Sequence, residues 1–212
     1  MIQNLQTKKF MDMTKKVDSR EPGFNLSSDF KHFLRASAIF SLAYFSFGFL
    51  MLKAYNLGFS IKDIVLLYAL FNIAYVISAA PIGKLGNILG RKKIIALEYI
   101  LYFIMSLGFV LAFSKLQIIF LFVIFGIFFA IDDSQSKAYI VDMEKSKRAT
   151  AIGMYNLMID LIYVLAFVIA GILWKYNPNY AFGFAALMFL ISLVYFLSAK
   201  RNNSLKLIYS EA

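Results

Sequence analysis

The 212-residue chain has no cysteine, one histidine, one tryptophan and three prolines. Without cysteine there is no disulfide framework, no thiolate zinc site and no thiol nucleophile. His32 has no acidic residue or cysteine at ligand spacing, so no metal centre is expected. Acidic residues are also scarce, 12 Asp and Glu against 22 Lys and Arg, which leaves a net charge of +10. Nucleic-acid readers share such a balance, but they gather their cations on one polar face. Here the cations stand between apolar runs, so no nucleic-acid partner is expected. No phosphate-cradling loop follows a strand, and no nucleophile, base and orienting group can be assembled. The chain is therefore expected to be neither an enzyme nor a cofactor carrier.

What the sequence has in excess is apolar surface. Hydrophobic residues make up 61% and aromatic residues 17%, with 23 Phe and a mean hydropathy of +0.71. In water that surface would form large exposed patches, whereas a lipid bilayer solvates it. A membrane helix needs about 20 mostly apolar residues at about 1.5 Å per residue. Six segments qualify, at about Phe33–Ala54, Ile64–Gly83, Ile94–Phe113, Leu116–Ser136, Ala149–Leu173, and from Pro178 to about Ala199. The expectation is an all-α integral membrane protein with six transmembrane helices over 30–199, a polar arm over 1–29 and a tail over 200–212.

The arm lacks the apolar stretch of a cleavable signal, so the first span is expected to act as its own targeting signal. The arm is read as solvated, the alternative being an interfacial helix built on Ile2, Leu5, Phe10 and Met13. Of the 22 Lys and Arg, only Lys53, Lys62, Lys115 and Lys175 fall on one side of the six-span arrangement. The positive-inside bias then places both termini in the cytoplasm, with Trp174 and Tyr176 at the outer interface.

Polar groups inside the spans are the candidates for chemistry. An ionised side chain at the bilayer centre costs about 2.5–3.5 kcal/mol on insertion scales, so it usually faces the bundle interior or a watery cavity. Asp160 stands roughly 18 Å along its span from Arg148, near the midplane, with Asn156 one turn earlier on the same face. The stripe continues through Tyr163 and Phe167. Asp160 suits a proton carrier or a cation-binding carboxylate, the alternative being an Asp satisfied by packing. Asp132 and Asp133 point about 100° apart on a helix, so at most one faces a cavity squarely. Gln135 and Lys137 are local partners for either. Glu98 is expected to snorkel towards Arg91 or Lys92 in a structural role. Asn72 and Tyr75 are candidate contacts for a small-molecule substrate, or Asn72 bonds a neighbouring helix.

Between the second and third spans runs Gly83-Lys84-Leu85-Gly86-Asn87-Ile88-Leu89-Gly90-Arg91-Lys92-Lys93-Ile94-Ile95. Gly83, Gly86 and Gly90 let helix ends approach and the backbone turn, and Arg91, Lys92 and Lys93 anchor the turn in the cytoplasm. This stretch resembles the loop motif G-x-L-A-D-R-x-G-R-K-x-x-L of the major facilitator superfamily. Gly83, Leu85, Gly90, Arg91 and Lys92 match it, while Asn87 replaces its Asp and Ile88 the Arg that follows that Asp. Lys137-Ala138-Tyr139-Ile140-Val141-Asp142, Arg148-Ala149-Thr150-Ala151-Ile152-Gly153-Met154-Tyr155-Asn156 and Ala170-Gly171-Ile172-Leu173-Trp174 extend the likeness, which covers about 30–197.

The resemblance implies half of a secondary transporter, built as two inverted three-helix repeats. The degenerate motif implies the carboxy-terminal half. A second six-helix half, from another chain or a second copy, is then needed to close a substrate cavity. The resemblance also implies that Asp142 reaches Arg91, that Arg148 opens the fifth span, and that Asp133 ranks next to Asp160 in coupling. It supplies no precedent for Asp160, where the family has a small residue. Two rival classes remain: a homodimeric six-helix channel or exporter, and a non-transporting remnant or scaffold.

Overall fold

The structure, a computed structural model, describes residues 26–44 and 47–198. Residues 1–25 of the arm expected over 1–29, its interfacial-helix alternative and the tail over 200–212 lie outside the described residues, while Ser28 and Asp29 at the end of that arm already form the start of a helix. All regular structure among the described residues is helical: α1 Ser28–Leu42, α2 Phe47–Asn56, α3 Ile61–Leu89, α4 Arg91–Val110, α5 Lys115–Ile131, α6 Lys137–Met143, α7 Arg148–Tyr176 and α8 Pro178–Leu197. A π-helical turn, Asp132–Ser136, joins α5 to α6. Six spans long and apolar enough to cross a membrane result, the first made of α1 and α2 and the fourth of α5, the π turn and α6.

Local chemistry sets the helix starts. Ser60 and Asp63 form a capping box at α3, and Ser114 and Gln117 form another at α5, so each pair satisfies otherwise unpaired backbone N–H groups. Asn177 caps α8 through the N–H of Asn179, with Pro178 in the first turn where its missing donor costs nothing. Between α3 and α4 the chain turns on Gly90 alone, at φ +89°, a conformation side-chain-bearing residues rarely adopt.

The span lengths run 29, 29 and 20 residues, then again 29, 29 and 20. Packing repeats with the same symmetry. α3 packs on α5 as α7 packs on α1; α4 packs on α5 as α8 packs on α1; α3 meets α4 as α7 meets α8. The α4–α8 contact maps onto itself and lies on the pseudo-two-fold axis. This is the pattern of two inverted three-helix repeats. Even the irregularities correspond: the first span leaves regular helix at Ala43 and Tyr44, and its counterpart carries the π turn at a similar depth.

The core is aromatic. Tyr102 stacks its ring 4.1 Å from Phe189, Phe109 lies 5.0 Å from Phe182, and Tyr99 lies 5.4 Å from Phe196, all across α4 and α8. Small residues draw other helices together. Gly126 on α5 sits directly on the α3 backbone, where an added Cβ would lie 2.7 Å from the carbonyl oxygen of Phe71. Lys53, near the end of the first span, is 9% exposed, and its Nζ donates to Asn179 Oδ1 at 2.8 Å, tying α2 to the start of α8.

α3 and α7 are the least covered spans. Ile77 on α3 is 70% exposed and Leu157 on α7 is 64% exposed, and both helices show long apolar faces to their surroundings.

Candidate functional site

Three groupings of polar side chains carry the site. The first lies at the Arg91 end. Arg91 Nε donates to Asp142 Oδ2 at 2.6 Å, joining the second repeat to the first across 51 residues of chain. The pair expected from the family likeness is therefore present. Arg91 Nη1 also reaches Gln135 Oε1 at 3.5 Å, and Gln135 Nε2 donates to Ser134 Oγ at 3.2 Å and to the Ile82 carbonyl at 3.4 Å. Gln135 is buried and lies flat on Gly86, which has no side chain to push it off. The π turn aims it there, because a widened turn shifts the register of the side chains that follow.

The remaining motif residues divide by exposure. Gly90 makes the turn and Gly86 the close approach, whereas a Cβ at Gly83 would meet nothing within 4 Å. Leu85 and Asn87 are exposed on the last turns of α3. Lys92 Nζ stands 5.6 Å from the Phe196 ring centre, and Arg148 is exposed at the first turn of α7.

The second grouping joins α3 to the π turn. Tyr75 OH donates to Asp133 Oδ2 at 3.1 Å, and Lys137 Nζ, one turn on, pairs with Asp133 Oδ1 at 2.8 Å. Both oxygens of Asp133 are thus held from different elements. Asn72, one turn before Tyr75, donates from Nδ2 to the Tyr68 carbonyl at 2.8 Å within its own helix.

The third grouping, Asn156 and Asp160, is exposed on α7. α7 packs chiefly on α1 and α8 while α3 packs chiefly on α5, so these residues stand apart from Tyr75 and Asp133. The stripe that Tyr163 was expected to extend turns towards the bundle: its ring lies 4.9 Å from that of Tyr44, just past the end of α1.

Glu98 departs from expectation. It does not snorkel to Arg91 or Lys92; it is 1% exposed inside the bundle, its carboxyl within hydrogen-bonding reach of that of Asp132. The face of α4 that carries Glu98 also carries Tyr102 and Met105, both fully buried against neighbouring helices. Packing of that face overrides the short path to water. Gln135 was expected only as a local partner for the two Asp residues, yet it organises the Arg91 end. The signal was its place in Asp-Asp-Ser-Gln-Ser, the one polar run inside an apolar span.

Gly86 gives a direct check of this arrangement. A Cβ there would lie 2.0 Å from Gln135 Oε1, so Gly86→Ala must expel the Gln135 side chain and free both Ile82 and Arg91. A loss of about 1–3 kcal/mol is expected from overpacking. The double variant Gly86→Ala, Gln135→Ala is expected to regain most of it, and thermal unfolding in detergent reads both.

Comparison with known proteins adds an independent finding. A family model described as Major Facilitator Superfamily matches residues 33–208. An uncharacterized MFS-type transporter of Methanocaldococcus jannaschii is 35% identical over 175 residues, which cover 79% of this chain and 44% of that protein. The chain thus spans less than half the length of that relative. No solved structure matches the chain.

Proposed function

The chain belongs to the Major Facilitator Superfamily, and from that premise we propose that it forms one six-helix wall of a secondary transporter for a small solute. The observation that carries this reading is the exposure of Asp160 and Asn156 within the otherwise apolar outer face of α7. An ionised Asp160 facing lipid would cost about 2.5–3.5 kcal/mol. A water-filled cavity removes that cost, and a second six-helix half packed against α3 and α7 encloses such a cavity.

In this arrangement Asp160 and Asn156 line the α7 side of the cavity, and Asn72, Tyr75 and Asp133 line the α3 side. They contact the solute or its coupling ion. Arg91, Asp142, Gln135 and the motif glycines join the repeats at one end, and their contacts break and reform as access alternates. The excess of Lys and Arg at that end supports a cytoplasmic position for it and for both termini. Asn87, which stands where the family motif has an Asp, can hydrogen-bond a helix end but adds no charge to the closure.

Reconstitution tests the reading. Solute uptake into vesicles is expected from this chain only together with a second six-helix half. Robust uptake by a strictly monomeric preparation overturns it. Uptake by a preparation holding two copies of this chain and nothing else identifies the second half as a copy of itself.

A further inference from the structure

We propose that Glu98 and Asp132 together form a proton-binding site at the point where the two interrupted spans meet. As a route for coupling, this deepens the transport function proposed above and rests on it; as a site, it stands on geometry of its own.

The first observation is burial. Glu98 lies about two turns into α4, is 1% exposed, and its Oε2 meets no hydrogen-bond donor among the described residues. An ionised carboxylate with an orphan oxygen in that position carries a heavy desolvation cost. The second observation is contact. The Glu98 and Asp132 carboxyl groups lie within hydrogen-bonding reach of each other. Ionised carboxylates accept hydrogen bonds and cannot donate them, so such a contact needs one proton on one of the two. The third is location. Asp132 opens the π turn, where the fourth span departs from regular helix, and it is partly exposed. Glu98 has no opening of its own, so the proton enters and leaves through Asp132.

The groups facing the pair leave the proton as its neutralising charge. Tyr44 faces it from the interruption of the first span, Tyr99 and Tyr102 from α4, and Tyr155 and Tyr163 from α7. The Tyr99 hydroxyl is taken up by Ser37 on α1 and Ser192 on α8. Tyr75 of α3 is bonded to Asp133, not to the pair. Lys137 is the cation that reaches Asp132, and its ammonium is bonded to Asp133 at 2.8 Å. Asp133 adds a like charge beside Asp132.

The step is a single protonation. A proton bound by the pair turns two repelling carboxylates into a donor and an acceptor, which holds α4 to the π turn. Its release restores the repulsion and favours an arrangement in which the turn moves away from α4. The Ala43 carbonyl at the interruption of the first span accepts from Tyr102 OH at 3.4 Å, so α4 touches both irregular segments at once.

Infrared spectroscopy of the purified chain in lipid reads the proton directly. At neutral pH the wild type is expected to show the C=O stretch of a protonated carboxylic acid. Glu98→Gln is expected to lose that band, Asp132→Asn to lose or shift it, and Asp160→Asn to leave it unchanged. Both substitutions at the pair are nearly isosteric, and gel filtration confirms that each variant is intact. A wild type without the band overturns the site, as does a band that survives unaltered in Glu98→Gln and Asp132→Asn or that disappears in Asp160→Asn. The spectrum needs no solute. A chain that shows the band but gives no uptake even together with a second six-helix half keeps the site and loses the transport reading, and uptake by that pair without the band does the opposite.

Discussion

Gly126→Leu is expected to prevent the bundle from forming a stable fold, with a loss above about 4 kcal/mol, the range reached only by changes that a core cannot absorb. The reason is what lies opposite. A Cβ at Gly126 would stand 2.7 Å from the Phe71 carbonyl oxygen, 2.7 Å from Ala74 Cβ and 3.0 Å from the Tyr75 nitrogen. Two of these atoms are backbone of α3, which cannot rotate aside as a side chain can, so α3 and α5 must separate. Their contact is the most extensive helix pairing in the protein and holds Tyr75 against Asp133. Yield of monodisperse protein after detergent extraction should collapse. Gly153, Gly171 and Gly183 are the internal controls, because a Cβ there meets nothing within 4 Å. Alanine at those helix positions is expected to be neutral or to stabilise by up to about 1 kcal/mol. An equal response at all four glycines would refute the account.

How much of this was legible in the sequence depends on the distance over which each cause acts. Hydropathy located all six spans, since the bilayer tests every residue alone. The ends of three were clearly underestimated: α3 runs on to Leu89, the fourth span through α6 to Met143 and α7 to Tyr176, because helical hydrogen bonding continues past the apolar stretch. The interruption after Leu42 carried no signal, as Ala43 and Tyr44 are not helix breakers. The polar run Asp132–Ser136 was visible as an oddity, but only the structure shows that it widens into a π turn.

Side-chain placement was harder. Glu98 sits a short way inside its span, and one-dimensional distance pointed it towards Arg91. Its real direction follows from which face of α4 packs against the rest of the bundle, a fact set by other helices. Arg91 and Asp142 were paired only through the family likeness, because nothing local links residues so far apart in the chain. Asp160 falls near the middle of α7, as counting along the chain put it, while its exposure on an uncovered face required the packing of α7 to be known.

Reversing the Arg91–Asp142 pair is expected to open that end of the bundle without unfolding it. The pair itself is partly exposed, with side chains 24% and 56% accessible, and exposed ion pairs contribute only about 0–1 kcal/mol. Arg91→Asp removes more than the pair. It sets two carboxylates against each other and also deprives Gln135 Oε1 of its donor, the contact that fixes Gln135 over Gly86. Together these amount to about 1.4 kcal/mol, a tenfold shift in population between closed and open forms. Absence of native cysteine makes the shift measurable. Ser136→Cys places a thiol at a position that is 4% exposed behind the pair, and its maleimide labelling in Arg91→Asp is expected to rise about tenfold over the wild-type background. The exchanged variant Arg91→Asp, Asp142→Arg restores the attraction and should return labelling most of the way, though not the bond to Gln135. Labelling that is equally fast in the single and exchanged variants would mean that the end opens through lost packing alone, and the ion pair would then have no part in closing it.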